Sequence, residues 1–152
     1  DGALTVWEKN KMKEKHQETF SDAVNDVPKV FPALLQARKV AKRVEKGGWG
    51  FSSYEEAERK MAEELTELKA ARASGDKKKI ASELGDVLMC AVNLGREAGA
   101  DCEEALLDTV NKIKRRFTAY EKAVLADGRD VNALSEAEKE EYYRAVKEAE
   151  EK

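Results

Sequence analysis

Histidine occurs once and cysteine twice in this 152-residue chain, and no apolar run approaches the roughly 20 residues that a membrane-spanning helix needs. Each scarcity excludes something. The two cysteines, Cys90 and Cys102, have no CxxC partner and no neighbouring histidine, so neither a disulfide framework nor a zinc site is expected, and a reducing, cytoplasmic setting is. The opening stretch DGALTVWEKN has no apolar run of signal-peptide length. Its start at Asp1 rather than Met fits a processed chain or the C-terminal part of a longer protein. Charge of one sign is also missing. The 28 basic and 31 acidic residues are interleaved and leave a net charge of −3, so neither nucleic acid nor an anionic membrane is an expected partner. Nowhere do Val, Ile and Thr alternate with polar residues over the length of a strand.

What is present is helical periodicity, with apolar residues three and four apart through most of the chain. An all-α single domain over 1–152 follows, with six helices expected. The first covers Leu4 to Lys15 and carries Trp7; FSDAVNDVPKVFP is read as an irregular connector, and Pro28 and Pro32 favour a helix start there. ALLQARKVAKRVEK stops at Gly47. The third helix opens on Ser53 with Glu56 three residues on, a capping box, and reaches Ala73. Gly75 ends it and Asp76 caps a fourth, Lys77 to Glu97. A fifth starts near Asp101 or Cys102 and runs to Gly128. The sixth opens on the Ser135 and Glu138 capping box.

Around the ASGD turn stand five acids, Glu63, Glu64, Glu67, Glu83 and Asp86. On the third helix Met61, Leu65 and Leu68 form an apolar stripe flanked by Glu64 and Glu67. On the fourth, Ile80, Leu84, Val87, Ala91 and Leu94 form the stripe and Glu83 and Asp86 flank it. A short turn folds the two into an antiparallel hairpin, which brings four carboxylates toward one level. Two readings stand: solvated flanking charges, or a metal site. The segment GDVLMCAVNLG is apolar on nearly all sides, so Asp86 is expected to lie in a buried setting that needs a compensating cation. All-oxygen ligation suits Mg²⁺ or Mn²⁺. A di-iron bundle needs Glu-x-x-His pairs, and His16, the single histidine, lies elsewhere.

Basic residues recur at the same spacing. Lys60 precedes Glu64 by one turn, Lys79 precedes Glu83, and Lys112, Lys114, Arg115 and Arg116 lie in NKIKRRF between Ile113 and Phe117, which are read as core positions. Such a set could hold phosphate oxygens beside a metal, or line a solvated face. Trp7, Phe31, Phe117 and Tyr120 are read as core, Cys90 as a buried small hydrophobe, and His16 as a surface residue.

EELTE followed by ELGD resembles the signature of MazG-type nucleoside triphosphate pyrophosphohydrolases. WEKNK, VPKVFPALLQARKVAKR, ELGDVLMCAVNLGREAG and NKIKRRF are similar, in order, to the C-terminal catalytic domain of the two-domain bacterial proteins. The resemblance implies a four-helix core with additional N- and C-terminal helices, a homodimer, and Mg²⁺-dependent hydrolysis of nucleoside triphosphates to monophosphate and pyrophosphate. A role in nucleotide-pool house-cleaning goes with it. Carried over by motif, Glu64, Glu67, Glu83 and Asp86 are the metal ligands, and Glu63 is a group that either supports those ligands from behind or orients water. Lys60, Lys79, Lys112, Arg115 and Arg116 fall on triphosphate-contacting positions, and Tyr143 on that of a base-contacting tryptophan. GWGF departs from the family's GFDW-like stretch, so neither Trp49 nor Phe51 is assigned a base contact. The rival expectation is a non-catalytic helical dimer, acting as a scaffold or a nucleotide sensor.

Overall fold

The computed structural model describes residues 19–51 and 53–150, together with Val6 and Asn10, both helical. The expected Leu4 to Lys15 helix otherwise falls outside the described residues, as do Trp7 and His16. Among the described residues there are six α-helices and no strand, so the fold is all-α. They are α1 (Phe20–Asn25), α2 (Ala33–Lys46), α3 (Tyr54–Ser74), α4 (Lys77–Glu97), α5 (Cys102–Ala126) and α6 (Glu136–Glu150), with a 3-10 turn at Val131–Ala133. None is long and apolar enough to cross a membrane.

The helix ends follow local chemistry. Ser53 accepts from the Glu56 amide at the start of α3, and Gly75, with φ of 72°, closes that helix in the left-handed region that glycine enters without strain. Asp76 then caps α4 by accepting from the amides of Lys78 and Lys79. One expectation is corrected: FSDAVN is not irregular. It forms α1 because Thr19 and Asp22 make a reciprocal capping box, the Asp22 amide donating to Thr19 Oγ1 at 3.1 Å and the Thr19 amide to Asp22 Oδ2 at 2.8 Å.

The chain divides into two compact units, Asp1–Glu103 and Glu104–Lys152. In the first, α3 packs along α4 as an αα-hairpin, and α2 packs on α4. Its buried apolar side chains are small: Val27, Ala41, Ala57, Ala71, Cys90 and Val92. Small residues let the helix backbones approach closely, so a longer side chain at Ala57 would force them apart. At Gly95 a Cβ would lie 2.3 Å from Cys102 Sγ, whose thiol donates to the Ala91 carbonyl. Arg38 pairs with Asp101 and Arg96 with Glu45, tying α2 to the end of α4.

The second unit has its own core, Tyr120, Val124, Leu134 and Val146, with Val131 and Tyr142 against it. Val124 is fully buried. Tyr142 stands edge-on to Tyr120 and donates from its hydroxyl to Asp127 Oδ2 at 2.6 Å. The capping box at α6 is complete: the Ser135 hydroxyl and amide both donate to Glu138 Oε2, and the Glu138 amide donates back to Ser135 Oγ.

Candidate metal centre

The α3–α4 hairpin brings three carboxylates together. One oxygen from each of Glu64, Glu83 and Asp86 lies within 4.8 Å of the others. Helical spacing places Glu83 and Asp86 on one face of α4, and the two-residue Gly75–Asp76 turn folds α3 back beside it.

The buried member of the group is Glu64, at 6% exposure. Here the sequence expectation is corrected, because it placed the burial at Asp86, and Asp86 is exposed. The reason lies in the stripes themselves. Leu65, Leu84 and Leu88 are about half exposed (51%, 47% and 49%), so the acid-bearing level of the hairpin is the less covered one. Burial on α4 is concentrated at its far end, in Cys90, Val92 and Asn93. Asn93 is satisfied there, donating to the Met89 carbonyl and accepting from Arg96.

A buried carboxylate needs a counter-charge. Lys60, one turn earlier on α3, provides it: its Nζ lies 2.7 Å from Glu64 Oε1 and 2.9 Å from Glu63 Oε1. The hydrogen bond to Glu64, then that to Glu63, raises the ammonium pKa well above its ordinary value. Glu67 stands outside the group of three. The charge of Glu64 raises its carboxyl pKa, with desolvation and then Glu83 adding to the effect. Such mutual repulsion among carboxylates is what a bound cation relieves. Cys90 belongs to the same neighbourhood, since burial and then the Glu64 charge raise its thiol pKa and keep it protonated.

The other named residues are placed as follows. Lys79 is exposed on the first turn of α4. Lys112, Arg115, Arg116 and Tyr143 belong to the second unit. Lys112 and Arg116 are partly buried and Arg115 is exposed. Arg116 is engaged within its own unit: its Nε donates to Glu150 Oε2 at 2.7 Å, and that bond, with a further one to the Tyr143 side chain, raises its pKa. Thirty-four positions separate Arg116 from Glu150, so no helical spacing could have announced the pair. Ile113 and Phe117, expected in the core, are more than half exposed (58% and 54%). They line, with Arg116, Tyr120, Lys139 and Tyr143, a cavity of about 280 Å³.

The donor set at α3–α4 is purely carboxylate, which fits a hard divalent cation and no soft one. A family model for the MazG nucleotide pyrophosphohydrolase domain matches residues 52–119. That interval contains every acid of the cluster and the basic run of α5. A nucleoside triphosphate pyrophosphohydrolase of Escherichia coli strain K12 is 34% identical over 146 residues, which are 95% of this chain and 56% of that protein. The nucleoside triphosphate pyrophosphohydrolase/pyrophosphatase MazG of Thermotoga maritima is 31% identical over 141 residues, 93% of this chain and 54% of that protein. The chain thus spans little more than half the length of the curated relatives it matches.

Proposed function

We propose, from the match of the MazG nucleotide pyrophosphohydrolase family model to residues 52–119, that this chain hydrolyses nucleoside triphosphates to nucleoside monophosphate and pyrophosphate with Mg²⁺, Mn²⁺ serving as a substitute. The observation that carries this reading is the convergence of Glu64, Glu83 and Asp86 on adjacent helices, with the Glu64 carboxylate buried. In the proposal these three and Glu67 hold the metal. When bound, Mg²⁺ supplies charge neutralisation for the phosphates and lowers the pKa of a coordinated water.

The chain's own residues have separable tasks. Glu63, exposed and beside Lys60, orients the water that attacks the α-phosphorus. A P–O bond forms there as the α–β bridging bond breaks, and pyrophosphate leaves. Lys60 balances Glu64 until substrate and metal arrive, then turns its ammonium to a phosphate oxygen. Lys79, Lys112, Arg115 and Arg116 contact the triphosphate and stabilise charge on the leaving pyrophosphate. For Arg116 this requires a phosphate to take the place of Glu150. Tyr143 stacks on the base.

The proposed setting is the cytoplasm, where the two free cysteines stay reduced, and the proposed role is clearance of unwanted triphosphates from the nucleotide pool. A homodimer is proposed as the working state, supported by the exposed Leu65, Leu84, Leu88, Leu106 and Leu107; a monomer in light scattering would contradict it. Pyrophosphate release from a panel of canonical, deoxy and damaged triphosphates with Mg²⁺ tests the activity. Undiminished turnover in Glu64→Gln or Asp86→Asn sinks the metal assignment. Triphosphate binding with no turnover at saturating Mg²⁺ replaces the enzyme by a sensor.

A further inference from the structure

Helix α2, ALLQARKVAKRVEK, carries five cations and one acid in a chain whose net charge is −3. Leu35, Arg38, Lys39 and Lys42 fall at spacings of three and four and so share one face, with Glu45 one turn further on. Together with Arg96 of α4 they line a cavity of about 360 Å³ in the first unit, and polar atoms form as much of its wall as apolar ones. Four cations and one carboxylate thus surround a space at the low end of ligand pockets. The cavity is separate from the acid cluster, because Arg96 follows Asp86 by ten residues, about 15 Å along the axis of α4. None of its lining residues has a task in the hydrolysis proposed above.

The α4 side of the cavity is preformed. The Arg96 side chain is 14% exposed. Its Nη1 donates to Asn93 Oδ1 at 3.1 Å, and Asn93, itself buried, is fixed by donating from Nδ2 to the Met89 carbonyl at 3.2 Å. The guanidinium is therefore oriented from its own helix, independently of any ligand. Its Nη2 pairs with Glu45, whose side chain is 43% exposed and so can turn into solvent. A guanidinium has five N–H donors, more than these two bonds use. Around it, Arg38 pairs with Asp101, and the ammonium of Lys39 stands 5.4 Å over the Phe31 ring. Lys42 is exposed and has no ion pair among the described residues. The cavity thus gathers more positive charge than its one carboxylate balances, and an anion relieves that repulsion. A side-chain carboxylate brings a single charge. A phosphate-class ion packs several charges and their acceptor oxygens into a small volume, and its oxygens match the guanidinium fork.

We propose that the α2–α4 cavity is a separate anion site, taking a compact phosphate-class ion such as pyrophosphate on Arg38, Lys39, Lys42 and Arg96, with Glu45 as the internal competitor that the ion displaces from Arg96. The site stands independently of the hydrolysis proposed above, so its test needs neither metal nor turnover. Pyrophosphate is titrated onto the whole chain by calorimetry, with citrate as a comparison ion of carboxylate chemistry. Saturable binding is expected, tighter for pyrophosphate than for citrate and weaker as ionic strength rises. Lys42→Met, a change on an exposed side chain, should lower the affinity about tenfold, and Arg96→Met at least as much. Glu45→Gln removes the competitor and should tighten binding about threefold. A merely structural role for the Arg96–Glu45 pair would not send its two ends in opposite directions. Lys112→Met, in the basic run of α5, should leave the affinity unchanged. No saturable binding, citrate bound as tightly as pyrophosphate, an affinity unmoved by Lys42→Met, or weaker binding in Glu45→Gln overturns the proposal. So does an affinity that follows Lys112 in place of Lys42, which would put the ion at the proposed triphosphate contacts. Binding that depends on Lys42 in a chain that releases no pyrophosphate from any triphosphate removes the hydrolase and keeps this site.

Discussion

The acid cluster on α3 and α4 and the aromatic slot on α5 and α6 are built on opposite principles. The cluster is a local construction: two helices, one tight turn, and acids at a spacing of three. Every charged partner in it lies within a turn on its own helix or on the adjacent one. Its tension is electrostatic, because Glu64 is buried among like charges with Lys60 as counter-ion. The slot depends on residues far apart in the chain, such as Tyr120 with Tyr143 and Arg116 with Glu150, and its walls are apolar. A site of the first kind should fail when one charge changes, and one of the second kind when packing does.

The largest expected effect tests the first half of that contrast. Glu64→Gln keeps the shape of the side chain and removes its charge, so pyrophosphate release should fall by at least about 100-fold while the helical circular dichroism stays unchanged. A loss of helix along with activity would instead make Glu64 a packing residue and erase the distinction. On the other side, Val124→Ala opens the core of the second unit and should cost about 1–3 kcal/mol, read as a lower denaturation midpoint. The acid cluster has no contribution from Val124, so Mg²⁺ binding should be unchanged.

Smaller changes sharpen the comparison. Asp76→Ala removes the cap that accepts two α4 amides and should cost about 1 kcal/mol, enough to loosen the hairpin turn without touching an acid. Lys60→Met should lower the melting temperature of the metal-free protein and enlarge the rise produced by Mg²⁺, since a cation must then do what the ammonium did. An unchanged Mg²⁺ response would mean that the metal and Lys60 do not share Glu64.

The smallest effect is a pH dependence confined to the second unit. The Ser135 hydroxyl, then Arg129, lowers the carboxyl pKa of Glu138 from its ordinary 4.5 to about 2. A depressed carboxyl contributes stability that is full above its unfolded pKa and is lost as pH falls through the folded one. The cap of α6 should therefore weaken between about pH 4.5 and pH 2, and Glu138→Gln should flatten that part of the helicity profile. A profile identical in the variant would remove Glu138 as the titrating group.

Much of the local order was legible. Ser53, Gly75, Asp76 and Ser135 announced their helix ends because a cap is a contact within four residues. Thr19 with Asp22 carried the same signal in a less usual form, an Asp at the position where a capping box has Glu or Gln. The acids were legible as a set for the same reason, since spacing on a helix fixes their face. Their burial was not. An apolar run around Asp86 pointed to a covered carboxylate, but the covered one is Glu64, whose own neighbours Glu63 and Leu65 are exposed.

The sequence by itself determined that this chain is helical, where the helices from α2 onward begin and end, and that two pairs of acids share the faces of one hairpin. These follow from interactions that reach one turn along a helix. Only the tertiary structure decided which carboxylate leaves water and which aromatic rings stay half open. Those depend on what one helix sets against another, and a side chain loses its water only when a second element takes it away.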